Sequence, residues 1–482
     1  MEKMVDGLPS DVVKFSNYQI KNQSEGGWTM KRIVWCAAVM MLLVCIGAWA
    51  LAEEGEYSTG HVRLSGYYEY NLLEDGSVKI MKCNVSRTFL TIPEELDGRP
   101  VSAIGANAFT VDTSLETVEI PDSVTDIEGN PFARCFVLQT IEVSPDHPTL
   151  AVMDGVLFEK ATKKLVCYPA GLDATSYKIP QGIAAIGDGA FRRADFKSLT
   201  IPDSVTSIGS YAFQECSNIT KLVIPDSVAS IGEGAFIECG MLNDMTLPAG
   251  ITAIPASAFE SCEKLRSVTL SDSVASIGER AFLLCTGLSK INLPEGVAMI
   301  GGKAFLGCEK LTGVTLPAGL TAMGDRVFEE CAGITDIVIP QGVTEIPAEA
   351  FRGCSGLKTL TLPEGLIAIG DYAFAGCENL TGLTLPGTLA TIGESAFYCC
   401  GKISELIIPE GVTSIGTEAF RYWERLTEVT LPSSVAFIGE DAFADCADGL
   451  MLHVERDSYA RDYARENDLD YVYEDSNDWL YE

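Results

Sequence analysis

The chain has 482 residues, is 47% apolar, and carries a formal charge of −33, with 16 cysteines but only 3 histidines. Long-range repulsion from that charge disfavours DNA, RNA and anionic membrane as partners. So few histidines leave little material for acid–base or nucleophilic catalysis of the Ser/His/Asp or Cys/His kind.

In chain order, residues 1–29 have no pattern and read as an extension upstream of the native start at Met30. Residues 30–52 join Lys31-Arg32 to the uncharged run IVWCAAVMMLLVCIGAWALA, which closes on Ala50-Leu51-Ala52. That is the three-part layout of a signal peptide, and an apolar run of this length can also serve as an uncleaved signal anchor. Either way the rest of the chain is expected outside the cytoplasm, secreted or at the cell surface. Any membrane contact is then confined to this segment.

Residues 53–87 are expected to form an N-terminal β cap, with a hairpin around Asp75-Gly76. Residues 88–143 hold the first, irregular repeats, marked by Phe109 and Phe132. A β insertion then occupies 144–180, with turns at Asp154-Gly155 and near Ala161-Thr162. From 181 to 449 the pattern is regular. Phe213, Phe236, Phe259, Phe282, Phe305, Phe328, Phe351, Phe374, Phe397, Phe420 and Phe443 stand 23 residues apart without a slip. A proline column keeps the same beat, with Ser271 filling one gap. Residues 450–482 form a C-terminal cap and acidic tail, in which Ser458 caps a short helix presenting Tyr459, Ala460, Tyr463 and Ala464.

The stretch LTGLTLPGTLATIGESAFYCC (380–400) shows what one phrase does. Leu383 and Leu385 alternate with small polar residues as in a half-buried strand, and Pro386 ends it. Leu389 and Ile392 point inward from the next side, and Ala396-Phe397 fill the remaining corner. One such coil has too small a core to stand alone and must stack on its neighbours. The expected fold is a β-rich solenoid: a right-handed leucine-rich repeat stack of short parallel strands, with a hairpin-like N-terminal cap and a small helical C-terminal cap. Glycines such as Gly209, Gly232, Gly278, Gly370 and Gly393 share their column with Pro255 and Pro347. Proline forbids positive φ, so these glycines serve close coil-to-coil approach.

Ten cysteines, Cys216 through Cys400 and then Cys446, form a column three residues past the phenylalanines, with Trp423 taking one turn. Parallel buried thiols account for it best; disulfides between neighbours and a metal site are the alternatives. No CxxC spacing occurs, and no cofactor or catalytic residue is assigned. The acidic column Asp203, Asp226, Asp272, Glu295, Glu364 and Glu410 reads as solvated turn residues. The outward strand positions Thr246, Thr269, Asn292, Thr315, Thr361, Thr384 and Thr430 form the candidate binding strip, interrupted by Val338 and Ile407.

The phrases IPDSVTSIGSYAFQECSNITKLVIP (201–225) and IPEGVTSIGTEAFRYWERLTEVTLP (408–432) resemble the bacterial BspA-type leucine-rich repeat family over about residues 88–454. The insertion with DGVLF and LVCYP, and the ending DSYARDYARENDLDYVY, are also similar to that family. The resemblance implies a secreted or surface-attached protein of a host-associated microbe. Its expected role is protein–protein or cell–matrix adhesion, its partner an extracellular or host-surface protein or a glycan. A non-catalytic structural spacer and an enzyme acting on polysaccharide or peptidoglycan are the competing readings. Paired carboxylates in a cleft would mark the enzyme.

Overall fold

The computed structural model describes residues 62–109 and 114–474. The upstream extension, the segment read as signal peptide or anchor, and the last eight residues lie outside them. Among the described residues no helix is long and apolar enough to cross a membrane. The described residues coil about 17 times as a β-solenoid with mostly parallel strands.

The first side of most coils is a strand of two to four residues paired in parallel with a neighbouring coil, and at Lys221, Gly313 and Gly382 the pairing thins to a single bridge. Asp244, Met245 and Thr246 lie opposite Ser267, Val268 and Thr269, a register of one phrase. Met245 and Val268 are buried while Thr246 and Thr269 face solvent, so a slip of one residue would turn the apolar set outward. The proline position then turns the chain: Pro225 accepts the Val228 N–H at 3.0 Å, and Pro248 accepts that of Ile251 at 3.2 Å. Ser271 accepts the Val274 N–H at 3.1 Å, which is why a serine can hold the proline's place.

The second side is a narrower parallel sheet of two-residue strands, in which Ser276-Ile277 pairs with Met299-Ile300. The glycines follow directly. A Cβ on Gly278 would lie 2.5 Å from the Ala256 nitrogen, and one on Gly232 would lie 2.3 Å from that of Ser210. Neither has positive φ, so close approach is their role, as the sequence predicts.

The third side carries the phenylalanines and runs a different ladder. Tyr211, Phe213 and Glu215 donate their N–H groups forward to the carbonyls of Glu233, Ala235 and Ile237, each at 2.8 Å. Two residues per coil take left-handed φ to aim these donors, two positions before and two after the phenylalanine. Arg280 (57°) and Leu284 (56°) flank Phe282; Glu418 (55°) and Tyr422 (63°) flank Phe420. Left-handed backbone is thus required, but at positions where side chains of every kind stand, and sequence inspection missed it. Between these turns the rings of Phe191 through Phe443 stack at 5.2–5.6 Å and within 15° of parallel.

Both ends are closed as expected, with two refinements. At the N-terminus, strand Tyr68–Leu72 pairs antiparallel with Val78–Cys83 across a turn in which Asp75 accepts from Ser77 and Gly76 has φ 85°. The insertion is a three-stranded meander, Leu150–Met153, Val156–Glu159 and Lys164–Cys167, turned by Asp154 and Gly155, both at positive φ. At the C-terminus the Ser458 side chain caps helix Tyr459–Glu466, which buries Ala460, Tyr463 and Ala464. Tyr459 departs from the expected face, being 43% exposed. Part of the acidic tail is a strand of its own: Asp470–Tyr473 pairs in parallel with Met451–Val454.

Candidate interaction surface

The cysteine column lies inside the coils. Each column sulfhydryl donates to the carbonyl of the preceding coil's phenylalanine, 26 residues earlier except for Cys216, whose partner Phe191 is 25 back: Cys239 to Phe213 and Cys262 to Phe236, both at 3.1 Å, and Cys308 to Phe282 at 3.2 Å. The same carbonyl already accepts the N–H of its own coil's cysteine, as Phe282 does from Cys285 at 3.1 Å. The thiol therefore supplies the second donor to a buried carbonyl with two lone pairs. Burial pushes the Cys239 and Cys354 thiols up to about 12, which keeps the proton on the donor. Trp423 explains itself on the same terms, because its Nε1–H donates to the Phe397 carbonyl at 2.6 Å. Cysteine and tryptophan share little else, and that exchange was the signal in the sequence for a donor role. The thiols of the column, Cys216 to Cys400 and Cys446, form no disulfide, which selects the parallel-thiol reading.

The acidic turn column is exposed at all six positions, Asp203, Asp226, Asp272, Glu295, Glu364 and Glu410. It forms a solvated edge. His147 is fully buried, with Nδ1 accepting the Thr149 and Leu150 N–H groups and Nε2 facing the Pro121 carbonyl at 3.2 Å. His453 stands on the final coil in register with Thr430, near Glu428 and Glu474. His61 lies outside the described residues.

The candidate strip is one column. Thr246, Thr269, Asn292, Thr315, Thr361 and Thr384 are exposed, and Thr430 is half-buried where the C-terminal strands crowd it. Val338 and Ile407, in the same column, are 62% and 70% exposed. Val338 and Ile407 pair with the following coil, opposite Thr361 and Thr430, so those side chains are presented on short parallel strands. Toward the N-terminus the column changes to Glu119 and Glu142. Together with Thr91, Glu94 and Asp122 these line a hollow of about 440 Å³.

Charge is distributed unevenly around the coil. From Ser217 to Cys446 ten full phrases follow one another. Their strand side, from the turn after the cysteine to the proline position, holds eight Lys/Arg and eight Asp/Glu. The other two sides and their corners hold five against twenty. The array's whole net charge therefore lies off the strand sheet. On the phenylalanine side it is partly pinned: Glu349 meets both Arg326 and Arg352 at 2.5 Å. Beside it burial raises the Glu329 carboxyl to about 7, with Glu349 adding to the rise and the two arginines opposing it.

The model of the BspA type leucine rich repeat region matches residues 81–163, 167–286, 206–335, 275–374 and 321–449. Among solved structures, a leucine-rich repeat protein from Bacteroides ovatus is 26% identical with a TM-score of 0.59, covering 82% of this chain and 100% of its own. A leucine rich cell surface protein from Faecalibacterium prausnitzii is 25% identical with a TM-score of 0.41, covering 87% and 97%. The pneumococcal vaccine antigen PcpA is 16% identical with a TM-score of 0.34, covering 86% and 99%. No curated protein matches the chain.

Proposed function

Because the chain belongs to the BspA-type leucine-rich repeat family, we propose that it is a secreted or cell-surface adhesion module. Its strand sheet would engage an extracellular or host-surface protein, with glycan as a second ligand class. One observation carries this reading: an uncharged column, Thr246 to Thr430, exposed except at Thr430, on a strand side that is electroneutral within a strongly acidic array. For an acidic partner, like-charge repulsion raises the cost of docking on the other sides and leaves this one open. Each coil adds a similar small contact, so affinity comes from area and from repeated modest interactions, without a single deep pocket. We assign residues 30–52 to export, with the mature chain beginning at Glu53; N-terminal sequencing of exported protein tests that.

The functional test is biolayer interferometry of the full chain against purified matrix proteins, cell-surface glycans and intact host cells, across a salt series. The expected result is saturable binding to at least one protein ligand. Absence of saturable binding throughout supports the spacer reading.

A further inference from the structure

Charge on the strand sheet is neutral in sum but not uniform. Lys264, Arg266, Lys290 and Lys310 fall on three consecutive coils, all exposed, and none makes an ion pair among the described residues. On the strand side Glu263 and Glu309 are the acids of these three coils, and Asp336 stands on the next, two residues before Val338, accepting from the Thr335 hydroxyl at 2.7 Å. The acid before these coils on that side, Asp244, accepts from the Ser267 hydroxyl at 2.7 Å and keeps its negative charge at the edge of the patch. Beside these cations run Thr269, Asn292 and Thr315, and the next coil places Val338 in the same column, 62% exposed. Adjacent strands are about 4.8 Å apart, so the cations and the valine fit within about 20 Å.

We propose that this patch is a docking site for an extended acidic protein segment that carries an apolar side chain beyond its carboxylates. The inference rests on the strand-sheet reading above and names the partner's chemistry. Charge complementarity carries it: the patch is cationic on an array whose other sides repel anions, so an acidic segment is steered to this place and register. The exposed valine and the row of methyl-bearing threonines favour protein over polysaccharide. Glu263 and Glu309, together with the acidic sides, penalise a densely sulfated polymer more than a segment of a few carboxylates. An acidic segment laid obliquely across these coils would set its carboxylates among the long side chains of Arg266, Lys290 and Lys310 and its apolar residue toward Val338, because the four stand at different positions along their strands.

The test uses the full chain and a 12-residue synthetic peptide alternating glutamate with valine; heparin and a lysine–valine peptide are the controls. Expected are saturable binding of the acidic peptide, at least tenfold weaker between low and physiological salt, and no binding of the lysine peptide. Lys264→Glu, Arg266→Glu, Lys290→Glu and Lys310→Glu together should abolish it. Reversing Arg280 and Lys303, which lie off the sheet, should leave it intact. Val338→Ser should weaken it severalfold at high salt, where the apolar contact dominates. Failure of the peptide to bind, indifference to the fourfold reversal, or preference for heparin overturns the proposal. If a matrix protein still binds and loses affinity on Thr269→Arg, the strand-sheet reading survives while this one fails. Binding that ignores Thr269→Arg as well removes both.

Discussion

The phenylalanine side and the strand side of a coil obey opposite rules, although the same 23 residues build both. On the phenylalanine side Ala, Phe and Cys repeat nearly unchanged, and the rings stack within 15° of parallel. On the strand side the buried residues repeat while the outward ones vary among Thr, Asn, Val and Ile. The first side holds the stack together, and the second is free to differ from coil to coil. A repeat protein places recognition where the ladder tolerates any side chain.

Substitutions at the two sides should break or sharpen that contrast. Phe305→Ala empties a site in the middle of the ring stack and should cost about 3–5 kcal/mol, read as a fall in the urea midpoint. Gly278→Ala forces a methyl against the Ala256 backbone, and the misfit should cost about 1–3 kcal/mol. Trp423→Phe keeps most of the ring but removes the Nε1–H bond to Phe397, with an expected loss of about 1 kcal/mol. The column thiols should resist iodoacetamide in the native protein and react after unfolding; half-buried Cys399 and Cys446 should react first. The Glu329 carboxyl adds a pH effect to the same side. Its unfolded value is 4.5 and its folded one about 7, so stability falls as pH rises between those values and the penalty is complete above. Glu329→Gln should flatten that part of the stability–pH curve. On the strand side Thr315→Ala should shift stability by less than about 0.5 kcal/mol.

Much of this was legible before any coordinates. The Phe and Pro columns gave coil length and the parallel ladder, Asp75-Gly76 and Asp154-Gly155 gave the hairpins, and Ser458 gave the helix start. The forward-donating ladder was not legible. Left-handed φ leaves a clear mark in sequence only when glycine is selected for it, and here Tyr211, Arg280, Glu349 and Tyr422 adopt it because inter-coil bonds hold them there. The terminal strand Asp470–Tyr473 was hidden because its pairing partner belongs to the array and its own residues show no 23-residue beat. Of the candidate site, the strip's membership followed from alternation alone. Its electroneutrality appears only when charges are sorted by side of the coil.

The most direct test compares two triple variants in one binding assay against a ligand that the wild-type chain engages. Thr269→Arg, Thr315→Arg and Thr361→Arg alter the strand sheet; Ala275→Arg, Thr321→Arg and Ile367→Arg alter exposed positions six residues later on the same three coils. Both add the same charge and bulk to the same coils. Loss of at least tenfold in affinity for the first triple, with the second near wild type, is the result this account predicts. Equal loss from both, or loss only from the second, would contradict it.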